Sequence, residues 1–119
     1  MNPFVDPATG NKYMYFCHDL GKKEGVTESS IYVVALNDDY TAKYDEVYHL
    51  TSANCYELES EVARELNEGN TNEAPYVIYN EESGLYYLLY SANAYYQKTY
   101  SVRIAVSESP TGPFKKLSQ

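Results

Sequence analysis

The sequence predicts an all-β fold made of antiparallel four-stranded β-propeller blades, one full blade plus most of a second. Three observations predict it. Short runs rich in Tyr, Val and Ile recur along the chain, separated by clusters of Gly, Pro, Asn and Asp. The runs repeat: Gly10, Tyr13 and Phe16 correspond to Gly84, Tyr87 and Tyr90 at an offset of 74, and Ser30 to Ser101 at an offset of 71. Each unit holds four successive short strands joined by turns, the build of a propeller blade. The 15 tyrosines suit this reading, since Tyr favours strands and presents an apolar face with a polar tip.

Taken in order, Asn2-Pro3-Phe4-Val5 reads as a short strand and Asp6 to Asn11 as a turn. Lys12 to Phe16 is a second strand, Cys17 to Ser29 a polar loop carrying Gly21 and Gly25, and Ser30 to Leu36 a β-branched third strand. Asn37-Asp38-Asp39 turns the chain into a weaker fourth strand, Tyr44 to Leu50. Residues 52–72 form an acidic connection in which Leu58, Val62 and Leu66 take the spacing of a short helix. The second unit runs through a strand at Tyr76 to Tyr79, a turn at Glu81 to Gly84, and a strand at Leu85 to Tyr90. A loop follows from Ser91 to Thr99, then a strand from Tyr100 to Ser107 in which Val102, Ile104 and Val106 alternate with Arg103, Ala105 and Ser107. Ser109 to Pro113 is a turn, and Phe114 begins a last strand. The expected organisation is a blade-like unit over 1–51, the connection, and a truncated second unit over 73–119, together one structural domain.

Composition narrows the partners. The chain has 119 residues and a net charge of −8, which argues against nucleic acid, because phosphate binding needs clustered Lys and Arg. It argues equally against an anionic membrane surface, and no apolar run approaches the roughly 18–20 residues that span a bilayer. No signal peptide follows Met1. Cys17 and Cys55 have no ligand cluster around them, so no zinc site is expected. Two free, partly buried thiols are the leading reading, and a disulfide between them is the lesser one. No Gly-rich phosphate loop and no Ser-His-Asp or Cys-His arrangement can be drawn from His18 and His49. No metal or cofactor is expected.

The stretch with chemical character is Asn72-Glu73-Ala74-Pro75-Tyr76, a carboxylate just ahead of a proline at the mouth of a strand. It is followed by Tyr86-Tyr87-Leu88-Leu89-Tyr90-Ser91-Ala92-Asn93 and by Ser107-Glu108-Ser109-Pro110-Thr111-Gly112-Pro113-Phe114. With Asn2-Pro3-Phe4-Val5-Asp6, Gly10 and Tyr13-Met14-Tyr15-Phe16, these pieces resemble glycoside hydrolase family 43, five-bladed propeller enzymes acting on arabinose- and xylose-containing polysaccharides. The resemblance covers nearly the whole chain in family order, as a fragment matching roughly the third and fourth blades. It implies an inverting mechanism with an Asp as general base, a Glu as general acid and a second Asp that tunes the acid. By motif position Glu73 looks like the general acid. Inversion needs two carboxyl groups about 6.5–9.5 Å apart, one kept protonated.

The resemblance also marks departures. Nothing here corresponds to the family's first blade, which carries the base. The tuning Asp belongs at or just before Asn2-Pro3; either this chain has Asn2 in its place or the Asp lies upstream of Met1. Asp6 reads as a turn residue. The expectation is a fragment that is catalytically incompetent alone. The alternative is a non-catalytic β-module that binds carbohydrate or self-assembles, and open blade edges imply a homo-oligomer.

Antiparallel geometry extends the site. The start of a blade's first strand and the end of its second share one end of the sheet, so Asn93, Tyr95 and Tyr96 become candidate sugar contacts beside Glu73. Asn2 and Arg103 are further candidates, and His18 and Asp19 weaker ones. The competing reading is a solvated loop residue for each, and for Arg103 a strand residue paired with a surface acid. Glu68, in Asn67-Glu68-Gly69, echoes the Glu73 motif but lacks the proline and the strand behind it.

Overall fold

The computed structural model describes residues 3–23, 26–52, 71–93, 98 and 100–117. They form eight strands: β1 Phe4–Val5, β2 Lys12–Lys23, β3 Val26–Leu36, β4 Ala42–Ser52, β5 Asn72–Asn80, β6 Leu85–Ala92, β7 Ser101–Ser107 and β8 Lys115–Lys116. Two four-stranded antiparallel sheets result, ordered β1-β2-β3-β4 and β5-β6-β7-β8. Among the described residues no helix is long and apolar enough to cross a membrane. The helical spacing of Leu58, Val62 and Leu66, Cys55 and Glu68 all lie outside the described residues.

The sequence repeat is a register repeat. Phe4 pairs with Tyr13 and Tyr13 with Ala35 in the first sheet; Ile78 pairs with Tyr87 and Tyr87 with Val106 in the second. The turns repeat as well. The Gly10 N–H donates to the Asp6 carbonyl at 2.7 Å, and the Gly84 N–H to the Asn80 carbonyl at 2.9 Å. Both glycines take the left-handed conformation, φ 79° and 68°, which costs a residue without Cβ little.

Alternation sorts each strand into two faces. On the first sheet Tyr13, Tyr15, Ile31, Val33 and Ala35 face the second, and on the second sheet Val77, Tyr86, Leu88, Tyr90, Ala92 and Ala105 face the first. These residues form one buried cluster, with Phe4, Tyr79 and Phe114 packed against it. Polar contacts cross the seam. The buried Asp6 carboxylate accepts from the Tyr86 hydroxyl at 2.7 Å, and the Tyr15 hydroxyl donates to the Pro110 carbonyl. The β7–β8 turn thus docks on the first sheet, where Gly112 is required twice over. Its φ is 84°, and a Cβ there would stand 3.2 Å from Leu50 Cδ2.

Several strands exceed the sequence reading. The expected loop from Cys17 to Ser29 is largely strand: β2 continues to Lys23 and β3 starts at Val26, with pairs from His18–Ser30 to Lys23–Val26 and an irregularity between Asp19 and Lys22. Charged and apolar residues do not alternate there, and ladder hydrogen bonds between backbones do not require them to. β4 starts at Ala42, and β5 starts at Asn72 rather than Tyr76. Cys17 is a free thiol but exposed, not partly buried, although it lies mid-way along β2 opposite the buried Ile31.

Candidate active site

Glu73 lies inside β5, not ahead of it, and is half-buried. Three features fix its backbone. First, it pairs with Ser91, which in turn pairs with Val102. Second, the register shifts by one residue between Glu73 and Tyr76, and Ala74 within that bulge has φ 50°. A positive φ is uncommon for a residue with Cβ, and bulges re-aim the side chains beside them. Pro75 suits this place, since it has no N–H to leave unpaired where the ladder breaks. Third, the preceding Asn72 is fully buried. Its Nδ2 donates to the Thr71 carbonyl at 2.9 Å, and its Oδ1 accepts from Lys116 Nζ at 2.9 Å. Lys116 reaches it from β8 across the Tyr90 ring, whose centroid is 5.4 Å from Nζ. The alanines Ala92 and Ala105 on that face leave the room for a long side chain.

The other candidates divide. Asn93 comes to the same end as Glu73: its N–H donates to the Thr71 carbonyl at 3.2 Å, it is buried, and its φ of 68° is one that Asn tolerates better than most residues. Arg103 pairs with Tyr90 and so alternates to the opposite face from the Glu73–Ser91–Val102 row, where its Nε donates to Ser101 Oγ at 3.2 Å. His18 pairs with Ser30 near the first sheet's corresponding end. Asn2, Tyr95 and Tyr96 lie outside the described residues, as does the side chain of Asp19. Asn72, Ser91 and Lys116 escaped the sequence reading. Asn72 could have been found from its place next to Glu73, but Lys116, 44 residues away, carried no signal.

Asp6 is excluded from proton-transfer work by its surroundings. Its carboxylate accepts from Ala8 N–H at 3.0 Å, Thr9 Oγ1 at 3.0 Å and Tyr86 at 2.7 Å. The acids Glu81 and Glu82 stand in the turn at the far end of β5. At about 3.3 Å per residue that is some 25 Å from Glu73. A cavity of about 430 Å³, lined by Leu85, Val106, Glu108 and Pro113, also lies at that far end. Among the described residues no three His, Cys, Asp or Glu side chains are grouped to hold a metal ion.

Residues 2–119 match the family described as glycosyl hydrolases family 43. The chain belongs to that family. Its sheets are accordingly blades of a partial β-propeller. Among solved structures, an endo-1,4-beta-xylanase from Bacteroides thetaiotaomicron is 32% identical with a TM-score of 0.74, over 99% of this chain and 35% of that one. A thermostable family-43 glycoside hydrolase is 32% identical with a TM-score of 0.77, over 98% of this chain and 36% of that one. An endo-1,5-alpha-L-arabinanase from Thermotoga petrophila is 25% identical with a TM-score of 0.56, over 97% and 22%. The family 43 chain described here thus spans about a third of the first two. No curated protein matches it.

Proposed function

We propose that this chain carries the general-acid segment of a family 43 glycoside hydrolase that cleaves arabinose- or xylose-containing glycosides with inversion, Glu73 being the acid. The observation that carries the reading is the placement of Glu73. It is a half-buried carboxyl group on the first strand of a blade, between a fully buried Asn72 and a bulge at Ala74. The family match over residues 2–119 and the xylanase likeness support the substrate class.

In the mechanism, protonated Glu73 donates to the glycosidic oxygen as the bond to the anomeric carbon breaks. A carboxylate on the opposite face of the sugar takes a proton from the attacking water. Asn93, with Tyr95 and Tyr96, would orient the sugar, and the Asn72–Lys116 contact would hold the strand that bears the acid. The mechanism needs a partner carboxylate about 6.5–9.5 Å from Glu73; Asp6 is held by three donors and Glu81 and Glu82 stand at the other end of β5. In this reading the base is supplied by another part of the family 43 enzyme, and the 119-residue segment by itself does not turn substrate over.

Two assays test this. The isolated chain should not hydrolyse aryl arabinosides or xylosides; turnover abolished by Glu73→Gln would sink the claim of inactivity. Grafted in place of the matching third of the xylanase relative, it should support hydrolysis. There Glu73→Gln should lower kcat about 10²–10⁴-fold, least for aryl glycosides whose leaving group needs no proton. An equal loss for all leaving groups would remove Glu73 from the acid role.

A non-catalytic sugar-binding module is the second reading, favoured by the aromatic and β-branched residues exposed on the second sheet. Saturable binding of xylo- or arabino-oligosaccharides by the isolated chain, without turnover, would distinguish it.

A further inference from the structure

The start of β5 is out of step with the rest of the strand. Continued without interruption from Tyr76–Leu89, the β5–β6 ladder would set Glu73 opposite Ala92 and Asn72 opposite Asn93. The structure instead pairs Glu73 with Ser91 and Asn72 with Ala92, so Ala74 and Pro75 together stand against Tyr90. A slip of one residue turns a side chain to the other face of the sheet. The bulge therefore turns Asn72 onto the covered face, where Ala92 lies, and Glu73 away from it. Asn72 and Glu73 cannot take their register from the strand beyond the bulge, so their own contacts must hold it.

Three other elements meet on the two residues before Glu73. Lys116 of β8 pairs with Ala105 and so shares the covered face with Ala92 and Asn72. The Leu117 N–H donates to the Ile104 carbonyl at 3.0 Å and fixes the strand just past Lys116. From there Lys116 Nζ donates to the buried Asn72 Oδ1 at 2.9 Å. A lysine can only donate, so the amide oxygen must face it and the amide nitrogen must face the other way. That nitrogen donates to the Thr71 carbonyl at 2.9 Å. The same carbonyl accepts from the Asn93 N–H at 3.2 Å, at the end of β6, and Thr71 bridges to Ser29 of β3.

We propose that Lys116 is a positioning residue for Glu73: through Asn72 it clamps the two β5 residues that lie beyond the bulge, together with the Thr71 carbonyl that also holds Asn93. The ammonium sets the sense of the Asn72 amide, and the amide passes that constraint to the backbone on which both the acid and a sugar contact are mounted. Lys116 takes no part in proton transfer itself. The Tyr90 ring, 5.4 Å from Nζ, holds the charge in place beneath the strand. The catalytic consequence rests on Glu73 being the general acid; the clamp is a matter of structure alone.

Two measurements test this. In the 119-residue chain, nuclear Overhauser contacts should show Glu73 opposite Ser91 and Asn72 opposite Ala92, with the Asn93 amide slow to exchange. Lys116→Met, similar in length but without the ammonium, should lose these pairings and that protection while Tyr76–Leu89 and Ile78–Tyr87 persist. Lys116→Arg, whose head also only donates, should keep them. Should Lys116→Met fail to fold, Asn72→Asp replaces it: that variant keeps an acceptor for Lys116, loses the donor to Thr71, and should lose the same contacts. Pairings retained in the folded variant, or lost evenly along β5, overturn the clamp.

The second measurement uses the segment grafted into the xylanase relative. There Lys116→Met should lower kcat by up to about 10²-fold, more for poor leaving groups than for activated aryl glycosides, and Lys116→Arg should recover most of it. Added to Glu73→Gln, Lys116→Met should cost far less than it costs alone, because both act on one proton transfer. A fully additive loss overturns the positioning role. The two readings fail separately. A Glu73→Gln loss equal for all leaving groups removes the acid and leaves the clamp to the pairing measurement; retained pairing removes the clamp and leaves the acid.

Discussion

The Asp6 carboxylate, with three donors around it and almost no exposure, ties a local turn to the other sheet through the Tyr86 hydroxyl. Removing that donor leaves a buried charge short of a partner. Tyr86→Phe should therefore cost about 1.5–3 kcal/mol, the range for a hydrogen bond to a charged group, measured by urea unfolding at neutral pH. The same contact has a pH signature. Burial first, and the bond to Asp6 second, push the Tyr86 hydroxyl above its ordinary value of 10.0. Burial first, with Tyr13, Asp6 and Tyr86 nearby, does the same to Tyr15. In the folded state both phenols keep their protons at pH values where the unfolded chain loses them. Their contribution is thus fully present below pH 10 and is lost as pH rises above it. Unfolding free energy should fall with pH from about 10 upward, and the fall should be shallower in Tyr86→Phe and Tyr15→Phe. An unchanged slope in both would remove these two groups as its source.

At the scale of the strand, the bulge at Ala74 is the feature that sets how Glu73 is presented. An alanine held at φ 50° stores strain that glycine would not. Ala74→Gly should therefore be neutral or stabilising by up to about 1 kcal/mol. Ala74→Val, β-branched in the left-handed region, should cost about 1–3 kcal/mol. Both are read from denaturant midpoints at constant slope, and a stabilising valine would refute the strained backbone. Neither the bulge nor Asn93's left-handed turn was legible in the sequence, because the first arises where the β5–β6 ladder slips by one residue and the second where the chain leaves β6. The strand set and its pairing were legible, because apolar alternation and the 74- and 71-residue offsets record which residues face a neighbouring sheet. Legibility failed where no such pattern operates. The β2–β3 ribbon beyond Cys17 is mostly charged and polar residues with glycines and no apolar alternation, and its backbone pairing left no trace in side-chain type. Glu73 stood out because Pro75 and a strand follow it; Lys116, which anchors the residue before it, is brought there only by the folded sheet.

For the whole molecule, the two sheets share one apolar core, so neither should keep its structure without the other. Tyr90 sits at the centre of the seam, fully buried, with Lys116 over its ring. Tyr90→Ala should cost about 3–5 kcal/mol, a large part of the roughly 5–15 kcal/mol of a domain this size. Because the loss falls on a shared core, amide protection should drop in β3 of the first sheet as well as in β6 and β7. Protection retained in β3 while β6 loses it would mean that the sheets fold separately and that the seam is a contact between independent units. The apolar seam argues otherwise: Ile31, Val33 and Leu88 are wholly buried, and each would be exposed on one side if the opposite sheet were lost.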